Sequence, residues 1–139
     1  MSNPKFRFWL ILTILWMGVI YVMSAMSAEI STAQSTSVWE VLHTIWPDLT
    51  HEMVRKIAHG LEYLVLGGFS LGMFFNTKSF KVAKPMLFSL LVALGDETLQ
   101  LHVAGRSSEV MDVWIDFGGA VVGILLFWAI LTVRKNQKK

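Results

Sequence analysis

The chain has 139 residues, of which 54% are hydrophobic and only 16% charged, and its mean hydropathy is +0.54; a soluble domain is nearer a quarter charged. One compact unit in a bilayer fits that balance; a large multidomain enzyme, a disordered tail and a soluble nucleic-acid binder do not. There is no cysteine, which excludes disulfides, zinc thiolates and iron–sulfur clusters, and the net charge of +2 comes from cations grouped at loop ends, which points to orientation in a membrane rather than to nucleic acid.

Residues 8–26 form an uncharged apolar run. As a helix it would be about 28 Å long, enough to cross the hydrocarbon core. Lys5 and Arg7 precede it. A cleavable leader is the rival reading, since Ala25-Met26-Ser27 offers a small-x-small site. The length of the run favours a retained anchor. Next, Ser31-Thr32-Ala33-Gln34-Ser35-Thr36-Ser37 reads as a polar flexible linker. Over 38–46, Trp39, Leu42 and Trp46 recur at helical spacing and predict a short helix, either in the headgroup layer or packed as a cap over the bundle. Pro47 ends it.

Three more spans are predicted, over 54–75, 82–103 and 110–133. Each has a clean apolar stretch, 63–75, 85–95 and 117–133, and each also carries internal charge. The predicted fold class is an all-α membrane protein of a single domain, 1–139, with four transmembrane helices plus a short interfacial helix in the first outer loop. With the N-terminus inside, Lys5, Arg7, Lys78, Lys81, Lys84, Arg134, Lys135, Lys138 and Lys139 face the cytoplasm, against Arg55, Lys56 and Arg106 outside. That bias predicts a plasma-membrane protein with both termini cytoplasmic.

The polar residues of the last three spans then all fall on the outer side. At 100° per residue, Arg55, His59 and Glu62 share one stripe, Asp96 and Gln100 another, and Asp112, Asp116, Gly119 and Gly123 a third. Gly119-x-x-x-Gly123 permits close approach of a neighbouring helix. A charge at mid-bilayer costs about 2.5–3.5 kcal/mol on insertion scales, and less near the interface. These groups must therefore pair, face water or bind something. Glu62, Asp96, Glu97, Glu109, Asp112 and Asp116 outnumber Arg55, Lys56 and Arg106, so pairing alone leaves a negative surplus. Plain structural roles are open to some of them. Arg55 and Lys56 suit headgroup anchors, Glu109 and Asp112 complement a helix N-terminus with Ser108 as its cap, His59 suits a hydrogen-bonded core position, and Gly105 a turn. Asp96, Glu97 and Asp116 fit such roles least.

Lys56-x-x-His59-x-x-Glu62-Tyr63-x-x-Leu66-Gly67 is similar to the first motif of the VanZ-like membrane proteins. Asp96-Glu97-x-x-Gln100, Gly105-Arg106 and Asp112-x-x-x-Asp116-x-x-Gly119 resemble the second. Ser24-Ala25-x-Ser27-Ala28, with Ser31 and Ser35, resembles the serine-rich stretch after that family's first helix. Two departures stand out: the family usually has Asn at the position of Asp116, and often an aromatic and a Pro within His102-Val103-Ala104. The resemblance implies a small multi-helix membrane protein of the cell envelope and an association with low-level teicoplanin-type glycopeptide resistance. It brings no agreed chemical mechanism.

Three functions are compatible with the cluster. The first is an outward-facing site that binds an envelope lipid headgroup, a lipid-linked envelope precursor or a lipoglycopeptide. Lys56, Gln100, Arg106, Asp112 and Asp116 would contact the ligand, Arg106 taking a phosphate or carboxylate through its bidentate fork. The second is an enzyme acting on a lipid-linked phosphorylated headgroup through His59, Glu62, Asp96 and Glu97. A divalent cation on His59, Glu62, Glu97 and Asp116 would be its cofactor. The third is a proton-coupled transporter or flippase, against which the inner halves of the spans carry no carboxylate or histidine to extend a relay.

Overall fold

The computed structural model describes residues 3–103, 105, 106 and 109–136. Five helices follow in order: α1 (Pro4–Ser24), α2 (Ala28–His43), α3 (His51–Phe75), α4 (Ala83–Gln100) and α5 (Val110–Asn136). Pro4 opens α1 behind Asn3, whose side chain accepts from the Lys5 amide. Thr50 caps α3 by accepting from the Met53 amide. Ser108, the cap expected for α5, lies outside the described residues.

α1, α3 and α5 are long and apolar enough to cross a membrane. α4 is the exception among the four expected spans. It runs 18 residues, ends at Gln100 rather than Val103, and carries Lys84, Asp96 and Glu97. The distribution of side chains is that of a bundle in lipid. In α1 the buried residues are Thr13, Ile20 and Ser24, while Ile11, Leu15 and Val22 are exposed. Apolar side chains lose nothing by facing acyl chains, so the polar ones turn inward.

The segment expected to be a flexible linker is helical. Residues 31–37 belong to α2, which begins at Ala28 and stops before Pro47. Ser35 Oγ and Thr36 Oγ1 donate to the Thr32 carbonyl at 2.9 and 2.8 Å, so the hydroxyls bond within the helix instead of competing with it. α2 packs on α3.

α3 is the central helix, touching α1, α2, α4 and α5, and its contact with α5 is the most extensive. Glycine sets that contact. A Cβ on Gly119 would lie 2.2 Å from the Gly60 carbonyl oxygen, and one on Gly123 1.9 Å from that of Leu64. From the other side, a Cβ on Gly67 would lie 2.1 Å from the Ala120 oxygen. The Gly119-x-x-x-Gly123 face expected to allow close approach does so, and α3 is its partner. Above it, Asp116 is 0% exposed.

The polar residues collect at one end of the bundle. There the end of α1 meets the loop after α4, where Arg106 Nη2 donates to the Met23 carbonyl at 3.3 Å. The start of α3 meets the start of α5, where Lys56 Nζ lies 4.0 Å from Asp112 Oδ1. At the opposite end Trp9 of α1 meets Phe127 of α5 edge to face, with ring centroids 5.2 Å apart. Gly105, with φ of 77°, turns the chain between α4 and α5 in a conformation that glycine adopts without strain.

Candidate functional site

Two layers make up the site. The outer layer is a cavity of about 200 Å³ beneath α2. Met23 and Ser24 of α1, Ser31, Ser35 and Val38 of α2, and Val54, Arg55, Ala58, His59 and Glu62 of α3 line it, with Arg106 entering from the α4–α5 loop. A smaller hollow adjoins it, shared by Ser31, Thr32, Arg55, Gln100, Gly105, Arg106 and Asp112. Both guanidinium groups border both spaces. Among the described residues neither makes an ion pair with an acid. Burial and the neighbouring Arg55 hold the Arg106 pKa below its ordinary value, opposed by Asp96, Glu97 and Glu62.

α2 closes the cavity from above, and an aromatic stack anchors it. Trp39 lies between His43 and His51, with centroid distances of 4.4 and 4.2 Å and an interplanar angle of 26° on each side. Its indole also donates to the Leu49 carbonyl at 2.6 Å. Val41 and Leu42 of α2, and Ile45 and Trp46 just after it, remain exposed.

The inner layer is buried. Asp96 and Asp116 are 0% exposed, and Glu97 and Gln100 are each 4% exposed. Gln100 Nε2 lies 3.4 Å from Asp96 Oδ2 and 3.5 Å from Ser24 Oγ. His59 Nδ1 lies 3.6 Å from Asp116 Oδ1. Neither oxygen of Asp116 has a hydrogen-bond partner, nor does Asp96 Oδ1 or His59 Nδ1. Buried polar atoms are rarely left in that state, because each forfeits its hydration without recompense.

Residues 8–132, nearly the whole chain, match one known family. The chain belongs to the VanZ/LLP1 family. No curated protein and no solved structure gives a match.

Within this VanZ/LLP1 chain, the residues singled out from sequence fall into four groups. His59, Glu62 and Arg106 line the main cavity. Gln100 and Asp112 reach the adjoining hollow. Asp96 and Asp116 lie in the buried layer, and Glu97 is buried at the end of α4 within electrostatic reach of Arg106. Lys56 pairs with Glu52 one turn before it, with Glu109 at 3.8 Å and with Asp112 at 4.0 Å, and lines a third hollow with His59, Asp112 and Asp116. The ligand set expected for a cation was His59, Glu62, Glu97 and Asp116. Among the described residues the group that comes together is His59, Asp96 and Asp116, with ligand atoms within 4.8 Å of one another.

Arg55, suited by sequence to a headgroup anchor, borders the cavity. Its signal was present, since it shares the α3 stripe of His59 and Glu62. Ser31 and Ser35 lay in the segment read as a linker, and only their place in the serine-rich family stretch pointed to them. The departure from the family pattern, Asp116, sits fully buried against His59.

Proposed function

We propose that this protein binds the anionic headgroup of an envelope lipid or lipoglycopeptide in the cavity beneath α2, on the outer side of the plasma membrane. The observation that carries the reading is the convergence of Arg55 and Arg106 on one space in which, among the described residues, neither forms an ion pair with an acid. Two adjacent guanidinium groups repel each other, and a phosphate or carboxylate between them relieves that repulsion while accepting bidentate hydrogen bonds. Met23, Val38, Val54 and Ala58 supply an apolar wall for the start of a lipid tail. Ser31 and Ser35 supply hydroxyls. The distribution of Lys and Arg supports both termini inside, α4 as a fourth span and α2 in the outer headgroup layer. Sequestration of such a headgroup is a direct route to the glycopeptide-resistance association of the family.

The experiment is the identification of lipids that copurify with the protein in mild detergent. Arg55→Ala and Arg106→Ala are each expected to lower retained anionic lipid at least about tenfold, as the loss of a hydrogen bond between charged groups requires. Equal retention in the double variant sinks the reading. So does an unchanged envelope lipid profile and teicoplanin susceptibility in cells carrying Glu62→Gln, Glu97→Gln or Arg106→Ala.

A second reading, an enzyme acting on a lipid-linked phosphorylated headgroup, is favoured by one observation. His59 lines the cavity while its Nδ1 faces Asp116, an arrangement in which a carboxylate orients a general base. A modified headgroup among the copurifying lipids, lost in His59→Gln, is its signature. Transport has less support. Among the described residues, the buried polar groups of the opposite half are the hydroxyls of Thr13, Ser70 and Ser89.

A further inference from the structure

The buried layer holds two fully buried carboxylates and an imidazole, which α3, α4 and α5 each contribute to one point. Hydrogen bonding does not satisfy them. Asp116 has no partner on either oxygen, and Asp96, with Gln100, Ser24 and Tyr63 around it, still leaves Oδ1 without one. The nearest ring nitrogen, His59 Nδ1, is 3.6 Å from Asp116 Oδ1, too long for a hydrogen bond. No arginine or lysine forms an ion pair with either acid among the described residues.

We propose that His59, Asp96 and Asp116 form a binding site for one divalent cation of the zinc or manganese class. A dication neutralises the two carboxylates and leaves the neutral imidazole as third ligand, so one event gives a partner to an oxygen of each carboxylate and to a ring nitrogen. Ligand atoms on a tetrahedral ion sit about 3.3–3.6 Å apart. The His59–Asp116 pair is already at 3.6 Å. The whole set lies within 4.8 Å, so side-chain shifts of about 1 Å close the shell. One nitrogen and two oxygens suit zinc or manganese better than calcium or magnesium, which take all-oxygen shells. Gln100, which donates to Asp96, orients that ligand from behind. Three protein ligands leave a position open, and His59, one of the three, also borders the cavity. The site needs none of the arginines of the headgroup reading and stands or falls without it.

The test uses the full chain, purified in detergent through a histidine-free tag and stripped with chelator. Zn²⁺ and, separately, Mn²⁺ are titrated by calorimetry, and metal content is measured after gel filtration. One ion per chain is expected for at least one of the two metals. Asp116→Asn, Asp96→Asn and His59→Gln, all close in shape to the residues they replace, should each weaken it at least about tenfold. His102→Ala, on the exposed loop, should leave it unchanged. Arg106→Ala should lose headgroup and keep the ion, which separates failure of one reading from failure of the other. A monodisperse wild-type chain that takes up neither metal stoichiometrically overturns the proposal. Binding that survives in both Asp variants overturns it as well, and assigns the ion to surface histidines.

Discussion

Gln100 shows how much rests on single side chains at this depth. Its amide donates to Asp96 Oδ2, and it also reaches Ser24 Oγ, tying the end of α4 to the end of α1. Replacing it with leucine keeps the bulk and removes the donor. Loss of a partner by a buried charged or polar group costs about 1–3 kcal/mol. Gln100→Leu is expected to lower the midpoint of thermal unfolding in detergent, while Thr98→Leu, whose exposed hydroxyl bonds only within its own helix, should not. The residue types of the site were legible in the sequence, because a carboxylate or histidine inside an apolar run needs an explanation. Which of them touch was not. Asp96 and Glu97 are neighbours on α4 with the same charge, and only the rotation of that helix about its axis decides which of them faces His59.

At the scale of elements, the contact between α3 and α5 is held by missing side chains. Gly119 and Gly123 face backbone oxygens of α3 at distances that no Cβ can occupy, and backbone cannot swing aside as a flexible side chain can. Gly123→Ala and Gly119→Ala are expected to destabilise the bundle by at least about 1–3 kcal/mol, the usual cost of overpacking. Gly118 offers the control. A Cβ there meets nothing within 4 Å. Gly118→Ala should be neutral or stabilising by up to about 1 kcal/mol through helix propensity. Thermal unfolding of the three variants side by side checks both statements. The alignment of these glycines below the acids could be read from helical spacing alone. The identity of the partner helix could not, because small residues mark a face without naming what comes to it. α2 illustrates the opposite case: its Ser- and Thr-rich start has weak helical preference, and docking on α3 overrides that preference.

For the whole molecule, the two ends of the bundle differ in chemistry. One gathers the acids, Arg55, Arg106 and α2; the other gathers Lys78, Lys81, Lys84 and Arg134. The absence of cysteine makes orientation easy to measure. A cysteine placed at Glu40 on α2 is expected to react with a membrane-impermeant maleimide in intact cells, and one placed at Ser79 between α3 and α4 only after permeabilisation. The reverse pattern would put the cavity on the cytoplasmic side and remove envelope headgroups from its reach.

The sequence by itself determined that this is a helical membrane protein with the acids of its last three spans at one end. Apolar runs of bilayer length, and cations sorted to loop ends, follow from the solvent and need no neighbour to be read. Only the tertiary structure decided that α2 roofs a cavity, that two arginines share it, and that His59 meets Asp96 and Asp116 instead of Glu62 and Glu97. Those outcomes depend on how far each helix is turned and how closely it packs, and both are set by steric fit between helices distant in the chain.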